Sequence, residues 1–258
     1  MHPTHFFKFR PWPRKGKNHT RTLLEKTAFW CSNPRDLDDP HDNQLGAHPT
    51  GGDRDIDRWL LHDMAGIPDL MRKYKLRSLT HLFDDSLVME SEDRKILAAS
   101  AGRKTRRNSR VLCLSSDFSS ELMWAFYSNN HEGICLCFDA QHDYFKAARP
   151  VLYTHTPTDV FHMGPEGTTD QAAFCKSLSW QFQKEWRLIL PGDEPKLVPF
   201  PKCALKAVIL GYRFSEVCSE ELKTILVEHG YQVELLRAER IPNSFTLGLI
   251  ELGKTMPK

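Results

Sequence analysis

Polar and charged side chains interrupt an otherwise apolar stretch of the chain, KSLSWQFQKEWRLIL. If residues 183–190 form a strand, their side chains alternate between its two faces, so Gln183, Glu185 and Arg187 share one face. A buried carboxylate is unfavourable unless it is paired or used chemically. The stretch therefore predicts one of two arrangements. Glu185 either forms an ion pair with Arg187 or Lys176, or it faces a cleft and takes part in a reaction.

The elements that must position these side chains are short strands and amphipathic helices. Short apolar runs predict strands at 5–10, 28–31, 110–114, 134–138, 149–153, 183–190, 204–210, 231–237 and 244–250. Helical spacing predicts helices at 18–26, 122–127 (capped by Asp117 or Ser119) and 216–229, helical structure at 171–176, and a helical insertion at about 56–101. These elements predict a single α+β domain over residues 1–258, with a mixed or antiparallel sheet as its core.

The composition narrows the class of protein. The 258 residues are 40% hydrophobic and 26% charged, which is ordinary for a soluble protein. No stretch approaches the ~20 apolar residues of a membrane span, and the N-terminus lacks the apolar region of a secretory signal. The seven cysteines are an odd number without a CxxC pair, which favours reduced thiols over a disulfide framework or a zinc site. We therefore expect a cytoplasmic protein with no membrane association.

One short run concentrates positive charge. Five cations occur within eight residues: Arg103, Lys104, Arg106, Arg107 and Arg110. The run is either a solvated connector before the strand at 111 or a patch that contacts the phosphates of a nucleic acid. The net charge of +2 does not favour the second alternative by itself.

Four separated segments resemble, in the correct order, an uncharacterised bacterial family known as domain of unknown function 2971. They are FFKFR at 6–10, FWCSNP at 29–34 with LDDPHD at 37–42, LCLS at 112–115 with LMW at 122–124, and Lys176 with Trp180 and QKEWR at 183–187. Two residues depart from the family pattern, because Asp38 stands in place of Asn and Gln183 in place of Glu. The family has no assigned activity, so the resemblance implies a fold relationship without a function.

The order of the polar residues is also similar to that of ADP-ribosyltransferases of the Arg-Ser-Glu type. Arg10 lies on an early strand, Ser115 ends a middle strand, and Glu185 follows Gln183 by two residues, within the Gln/Glu-x-Glu pattern of that superfamily. The resemblance implies an ADP-ribosyltransferase-like fold and NAD as the substrate. The product is then an ADP-ribosylated acceptor, a protein or a nucleic acid.

The resemblance also implies catalytic roles. Cleavage of the nicotinamide bond of NAD passes through an oxocarbenium-like sugar, whose positive charge a carboxylate stabilises. Glu185 is the expected carboxylate, and Gln183 is expected to orient the acceptor. Ser115 either holds the nicotinamide ribose or fixes Glu185.

Further residues are expected to bind NAD. Arg10 offers a planar set of donors for the pyrophosphate, and Lys8 lies two residues before it on the same predicted strand face. Phe9, Trp124 and Tyr127 are candidates to stack on the nicotinamide ring. Aromatic residues at such spacing are also common in a protein core.

Two other classes of function stay open. A metal-dependent nuclease or phosphodiesterase would use Asp38, Asp39 and Glu185 together with the cations at 103–110. A non-catalytic ligand-sensing or interaction module would hold Glu185 in a buried ion pair. The turn-rich segment 32–50 is predicted to be a structured loop over the cleft lined by Arg10, Ser115 and Glu185, anchored at its base by Trp30.

Overall fold

The structure is a computed structural model that describes residues 2–13, 16–39, 42, 109–155, 173–191 and 196–255. The predicted helical insertion at 56–101 lies outside these residues, as do four of the clustered cations (Arg103, Lys104, Arg106 and Arg107). The described part combines a large sheet with helices and is α+β, as predicted. None of its helices is long and apolar enough to cross a membrane.

The described strands are β1 (His5–Arg10), β2 (Ala28–Cys31), β3 (Ser109–Ser115), β4 (Ile134–Asp139), β5 (Arg149–Pro150), β6 (Leu152–Thr154), β7 (Cys175–Ser177), β8 (Glu185–Pro191), β9 (Lys196–Pro199), β10 (Leu205–Leu210), β11 (Glu234–Arg240) and β12 (Leu247–Lys254). The α-helices are α1 (His19–Lys26), α2 (Glu121–Tyr127) and α3 (Glu216–Glu228). Most of these elements coincide with the predicted ones to within a few residues.

Eight of the strands form one sheet in the order β12-β11-β10-β4-β1-β3-β8-β5. Neighbouring strands are antiparallel except β10 and β11, which are parallel. Helix α3 connects that parallel pair, because parallel neighbours need a crossover. Two smaller pairs accompany the sheet, an antiparallel one of β2 with β9 and a parallel one of β6 with β7.

Buried apolar side chains cover both faces of this sheet. Phe6 and Phe9 of β1 are three positions apart and therefore point to opposite faces. Phe6 belongs to the larger cluster, which includes apolar residues of α1 and α3. Phe9 belongs to a smaller cluster with Trp124 of α2. Burial of each such side chain contributes about 1.5–3 kcal/mol, so helices hold the central strand β1 from both sides.

Two local predictions are wrong. Helix α2 is capped by Ser120, whose side chain accepts a hydrogen bond from Met123 N, because Asp117 is occupied by the N–H and hydroxyl of Ser119. The segment 171–176 was predicted to be helical, but its residues 175 and 176 belong to strand β7, which pairs with β6.

Candidate ligand-binding cleft

The sheet opens between β1 and β3. Strand β1 pairs with β4 along all of its residues, but it pairs with β3 only where Phe7 lies opposite Ser115. Further along, Ser32 takes the place beside β3 and exchanges backbone hydrogen bonds of 3.2 and 2.9 Å with Val111. Strands β1 and β3 therefore diverge from Phe7 onwards and leave a cleft between them.

A cavity of about 280 Å³ occupies this cleft. Its walls contain seven of the predicted site residues: Lys8, Phe9, Arg10, Ser115, Tyr127, Gln183 and Glu185. The carboxylate, the serine and the arginine of the three sequence motifs thus reach one concave surface from three different strands. Sequence reasoning missed other wall residues, among them Trp30 and Asp36.

Trp124 lies behind the wall rather than in it. The side chain is fully buried, and its ring meets that of Phe9 edge-on at 5.1 Å between centroids. Its Nε1 donates a 2.7 Å hydrogen bond to the carbonyl of Phe118. Because α2 packs this ring against the sheet, Trp124 supports Phe9 from behind and does not line the cavity.

Glu185 is held by Arg187. Arg187 Nε donates to Glu185 Oε1 at 2.8 Å, and Nη2 donates to Oε2 at 3.0 Å. The same guanidinium binds both oxygens of Asp42, at 2.8 and 2.6 Å, and its fifth N–H donates to the carbonyl of Ala173 at 2.7 Å. All five donors of the fully buried Arg187 are used. The predicted Glu185–Arg187 ion pair therefore exists, with Asp42 as an unforeseen third member.

Lys176 completes the charge balance of this group. Its Nζ lies 3.0 Å from Glu185 Oε2 and 3.2 Å from Asp42 Oδ2. Two carboxylates and two cations thus form a buried network without net charge, which we call the ion-pair network (Asp42, Lys176, Glu185 and Arg187). Both predicted partners of Glu185 are present at once.

The network sets the protonation of its members. Burial alone would raise the pKa of Glu185, but Arg187 and Lys176 outweigh burial and hold it at about 2. Burial alone would lower the pKa of Lys176, but attraction by Glu185 and Asp42 outweighs it and raises the value. Glu185 is therefore an anion and Lys176 a cation at neutral pH.

Gln183 reaches the network from a different element than predicted. Residues Leu178–Gln183 form a 3-10 helix, and Lys184 follows in the left-handed conformation with φ of 43°, so the strand begins only at Glu185. The amide of Gln183 accepts from Lys176 at 2.8 Å and donates to the hydroxyl of Tyr127 at 2.7 Å. Simple strand alternation would not have given this orientation.

The side chain of Ser115 forms hydrogen bonds with backbone groups. Its hydroxyl donates to the carbonyl of Gln183 at 2.7 Å and accepts from Asp117 N at 3.1 Å. Ser115 also lies opposite Glu185 in the pairing of β3 with β8. Of the two predicted roles, fixing the Glu185 segment is the one that these contacts support.

The opposite wall of the cavity carries cations that the ion-pair network does not include. Lys8 Nζ donates to the carbonyl of Cys113 at 2.7 Å. Cys113 lies on the part of β3 that does not pair with β1. The Nε of Arg10 is buried without a hydrogen-bond partner among the described residues. Burial lowers the pKa of Arg10, and burial followed by Arg10 lowers that of Lys8. The Nε of Arg10 therefore offers this wall a donor for an anion.

Gly133 fixes the place of Arg10. A Cβ atom at position 133 would lie 2.2 Å from the carbonyl oxygen of Arg10 and 2.8 Å from Ser128 Cβ. Gly133 N also donates to the carbonyl of Ser128 at 2.7 Å. The end of β1 and the turn before β4 therefore pack backbone against backbone.

The described part of the predicted loop 32–50 does lie at the cleft. Asp36 and Asp38 line the cavity, and burial followed by the charge of Asp38 raises the pKa of Tyr127. Trp30, predicted to anchor the base of this loop, is 54% exposed. The anchor is Asp42, which no local sequence signal links to Arg187. Residues 40–41 and 43–50 lie outside the described part.

The structure gives the nuclease alternative no support. Within the described ranges, no three His, Cys, Asp or Glu side chains form a group that could hold a metal ion. Arg110 belongs to the cation cluster predicted to be either a solvated connector or a phosphate-contacting patch, but it is 1% exposed. Its side chain lies inside the fold and is not available to a nucleic acid.

Searches of protein-family models, curated proteins and solved structures with this chain gave no match.

Proposed function

We propose that the protein is an NAD-dependent ADP-ribosyltransferase with an ADP-ribosyltransferase-like arrangement of its sheet. The observation that supports this most is that Arg10, Ser115 and Glu185 line one cavity although they come from three different strands. That motif order is the one shared with Arg-Ser-Glu transferases. The cavity has the cations Lys8 and Arg10 on one wall and the carboxylate of Glu185 on the other side, which matches the charges of a pyrophosphate and a developing oxocarbenium ion.

In the proposed reaction, the bond between C1′ of the ribose and the nicotinamide nitrogen breaks. The electron pair leaves with nicotinamide, and the sugar becomes oxocarbenium-like. Glu185 stabilises that positive charge as a fixed anion, since its pKa of about 2 keeps it ionised. A nucleophilic atom of the acceptor then bonds to C1′ and releases its proton to solvent.

Glu185 must exchange one of its present partners to bind a ribose hydroxyl. A carboxylate has about four acceptor positions, and three are taken by N–H donors of Arg187 and Lys176. The Cys113 thiol lies close enough to Glu185 to lower its pKa, and it lines the cavity. A thiol is a weak donor, so a ribose hydroxyl takes its place beside the carboxylate at little cost. Arg187 and Lys176 keep the carboxylate in place meanwhile.

The size of the cavity limits what it encloses. Its 280 Å³ is close to the lower end of the roughly 300–1,000 Å³ of ligand pockets. It accommodates the nicotinamide ribose and the adjacent phosphate, while the remainder of NAD extends beyond it. Arg10 is the proposed phosphate ligand because its buried Nε has no hydrogen-bond partner among the described residues and guanidinium groups bind phosphates.

A second candidate is a non-catalytic module that senses a nucleotide. The specific observation in its favour is that Glu185 is fully engaged in the ion-pair network. Such a module would bind NAD or a related anion at Arg10 and leave it intact. Calorimetry and nicotinamide release, measured with NAD on the same preparation, separate the two candidates.

The decisive variant is Glu185→Gln. We expect nicotinamide release to fall ~100-fold or more, equivalent to about 2.7 kcal/mol of barrier. The same change leaves Arg187 and Lys176 with one carboxylate, so a loss of roughly 3–5 kcal/mol of stability is also expected. Activity is therefore measured below the melting transition of the variant. Wild-type protein that binds NAD without releasing nicotinamide would contradict the transferase and favour the module.

A further inference from the structure

Trp30 is a half-exposed tryptophan in the cavity wall. In β2 its neighbours Phe29 and Cys31 are fully buried, whereas Trp30 is 54% exposed, because alternate side chains of a strand point to opposite sides. Tryptophan is on average highly buried in folded proteins. An indole left open at the edge of a cavity offers a flat apolar surface to whatever enters it.

The other aromatic residues at the cleft have less ring surface to offer. Phe9 is 5% exposed and Trp124 is fully buried. Phe7 packs against Phe118 with 5.7 Å between ring centroids. The hydroxyl of Tyr127 accepts a hydrogen bond from Gln183, which fixes that ring in place. Trp30 is therefore the aromatic wall residue best able to receive a planar ligand.

We propose that Trp30 is the stacking platform for the planar ring of a nucleotide, with the adjacent phosphate bound by Arg10. The chemical class of ligand follows from the two groups together. An indole binds a planar π-system by stacking, and a guanidinium whose Nε has no partner among the described residues binds a phosphate. The choice of NAD as that nucleotide rests on the proposed function, but the stacking role holds for any nucleotide.

Removal of the Trp30 indole should weaken nucleotide binding strongly. A single base–aromatic stack changes binding by about 5- to 150-fold. Trp30→Ala should weaken nucleotide binding within that range, and Trp30→Phe should retain a large part of it. Because Trp30 is half exposed, neither change should shift the melting temperature much. Phe245→Ala is the matched control, since Phe245 is 95% exposed in the turn between β11 and β12.

The test measures binding of NAD, AMP, nicotinamide mononucleotide and inorganic pyrophosphate by calorimetry and tryptophan fluorescence. The chain has six tryptophans, so the difference between wild type and Trp30→Phe isolates the signal of Trp30. We expect nucleotides to quench that signal, and pyrophosphate to bind without quenching. Whichever mononucleotide quenches more strongly identifies the ring that stacks on Trp30.

The outcomes for Trp30 and for the transferase are separable. If AMP or nicotinamide mononucleotide quenches the fluorescence of Trp30 but NAD is never cleaved, the stacking role of Trp30 is supported and the transferase function is contradicted. If NAD is cleaved and Trp30→Ala leaves its KM and its binding unchanged, the platform fails and the transferase stands. Equal losses in Trp30→Ala and Phe245→Ala, or no nucleotide binding by the wild type, would also overturn the platform.

Discussion

Two arginines at the cleft are in opposite electrostatic states. Arg187 lies behind Glu185, fully buried, with all five donors used and two carboxylates as partners. Arg10 lies in the facing wall, and its Nε is buried without a partner among the described residues. Carboxylates of the fold compensate the charge of Arg187, whereas Arg10 is the residue that we propose binds a ligand phosphate. In this proposal the same residue type has a structural role at one place and a binding role at the other.

The largest expected effect comes from Arg187→Met. This change leaves Asp42 and Glu185 buried with Lys176 as their remaining cation, and the loss of one partner from a buried pair costs roughly 3–5 kcal/mol. Urea denaturation should show a lower midpoint with an unchanged slope. An unchanged midpoint would show that the ion-pair network contributes nothing to stability.

Arg10→Met is the matched variant on the other wall. Since no carboxylate among the described residues pairs with Arg10, its removal leaves no described anion unpaired, and we expect the free energy of unfolding to stay the same or to rise. Binding of NAD or pyrophosphate should be lost in calorimetry. If Arg10→Met destabilised the protein as much as Arg187→Met, the distinction between the two arginines would be wrong.

A pH titration of stability sharpens the comparison further. The pKa of Glu185 is lowered from 4.5 to about 2 in the folded state. Its ionisation therefore contributes fully to the free energy of unfolding above pH 4.5, and this contribution is lost as the pH falls towards 2. Between pH 6 and pH 3 the wild type should lose about 2 kcal/mol through this group. The difference in unfolding free energy between wild type and Glu185→Gln should narrow by that amount. A constant difference would mean that Glu185 does not titrate as the network requires.

The smallest expected effect comes from a cation close by in the sequence. Lys184 pairs with Asp117 at 2.8 Å, but its side chain is largely exposed, and surface ion pairs contribute about 0–1 kcal/mol. Lys184→Met should therefore change the unfolding midpoint little. Lys176→Met, which removes a buried member of the ion-pair network, should lower it clearly. Similar results for both lysines would contradict the view that burial decides the role of a charge here.

Much of the fold is predictable from local sequence. Strand β1 follows from the apolar run that ends before Pro11, and helix α1 begins after Asn18, whose side chain accepts from Arg21 N as an N-cap should. Prediction fails where tertiary pairing decides. Residues 175–177 form a strand because a partner strand lies beside them. The left-handed residue Lys184 displaces the start of β8, and no residue preference for lysine indicates that conformation.

The candidate site was predictable in its residue types and less so in its contacts. Glu185 stands out in the sequence because a carboxylate among apolar residues needs a reason. Its pairing with Arg187 follows from their spacing, but the Asp42–Arg187 contact joins positions 145 apart, which no local pattern reveals. Trp30 was missed as a wall residue because a four-residue strand does not show which of its sides meets the core.

Gly133 has a consequence for genetics. Its hydrogen atom occupies space that any side chain would need, directly against the carbonyl of Arg10. Larger residues at 133 would push the end of β1 away. The guanidinium of Arg10, which we propose binds a phosphate, would move with it. In a saturation-mutagenesis screen for activity, position 133 should therefore tolerate almost nothing, while exposed turn positions such as Phe245 accept many replacements. Intolerance at such a position would report on the shape of the cleft, although the glycine itself never touches the ligand.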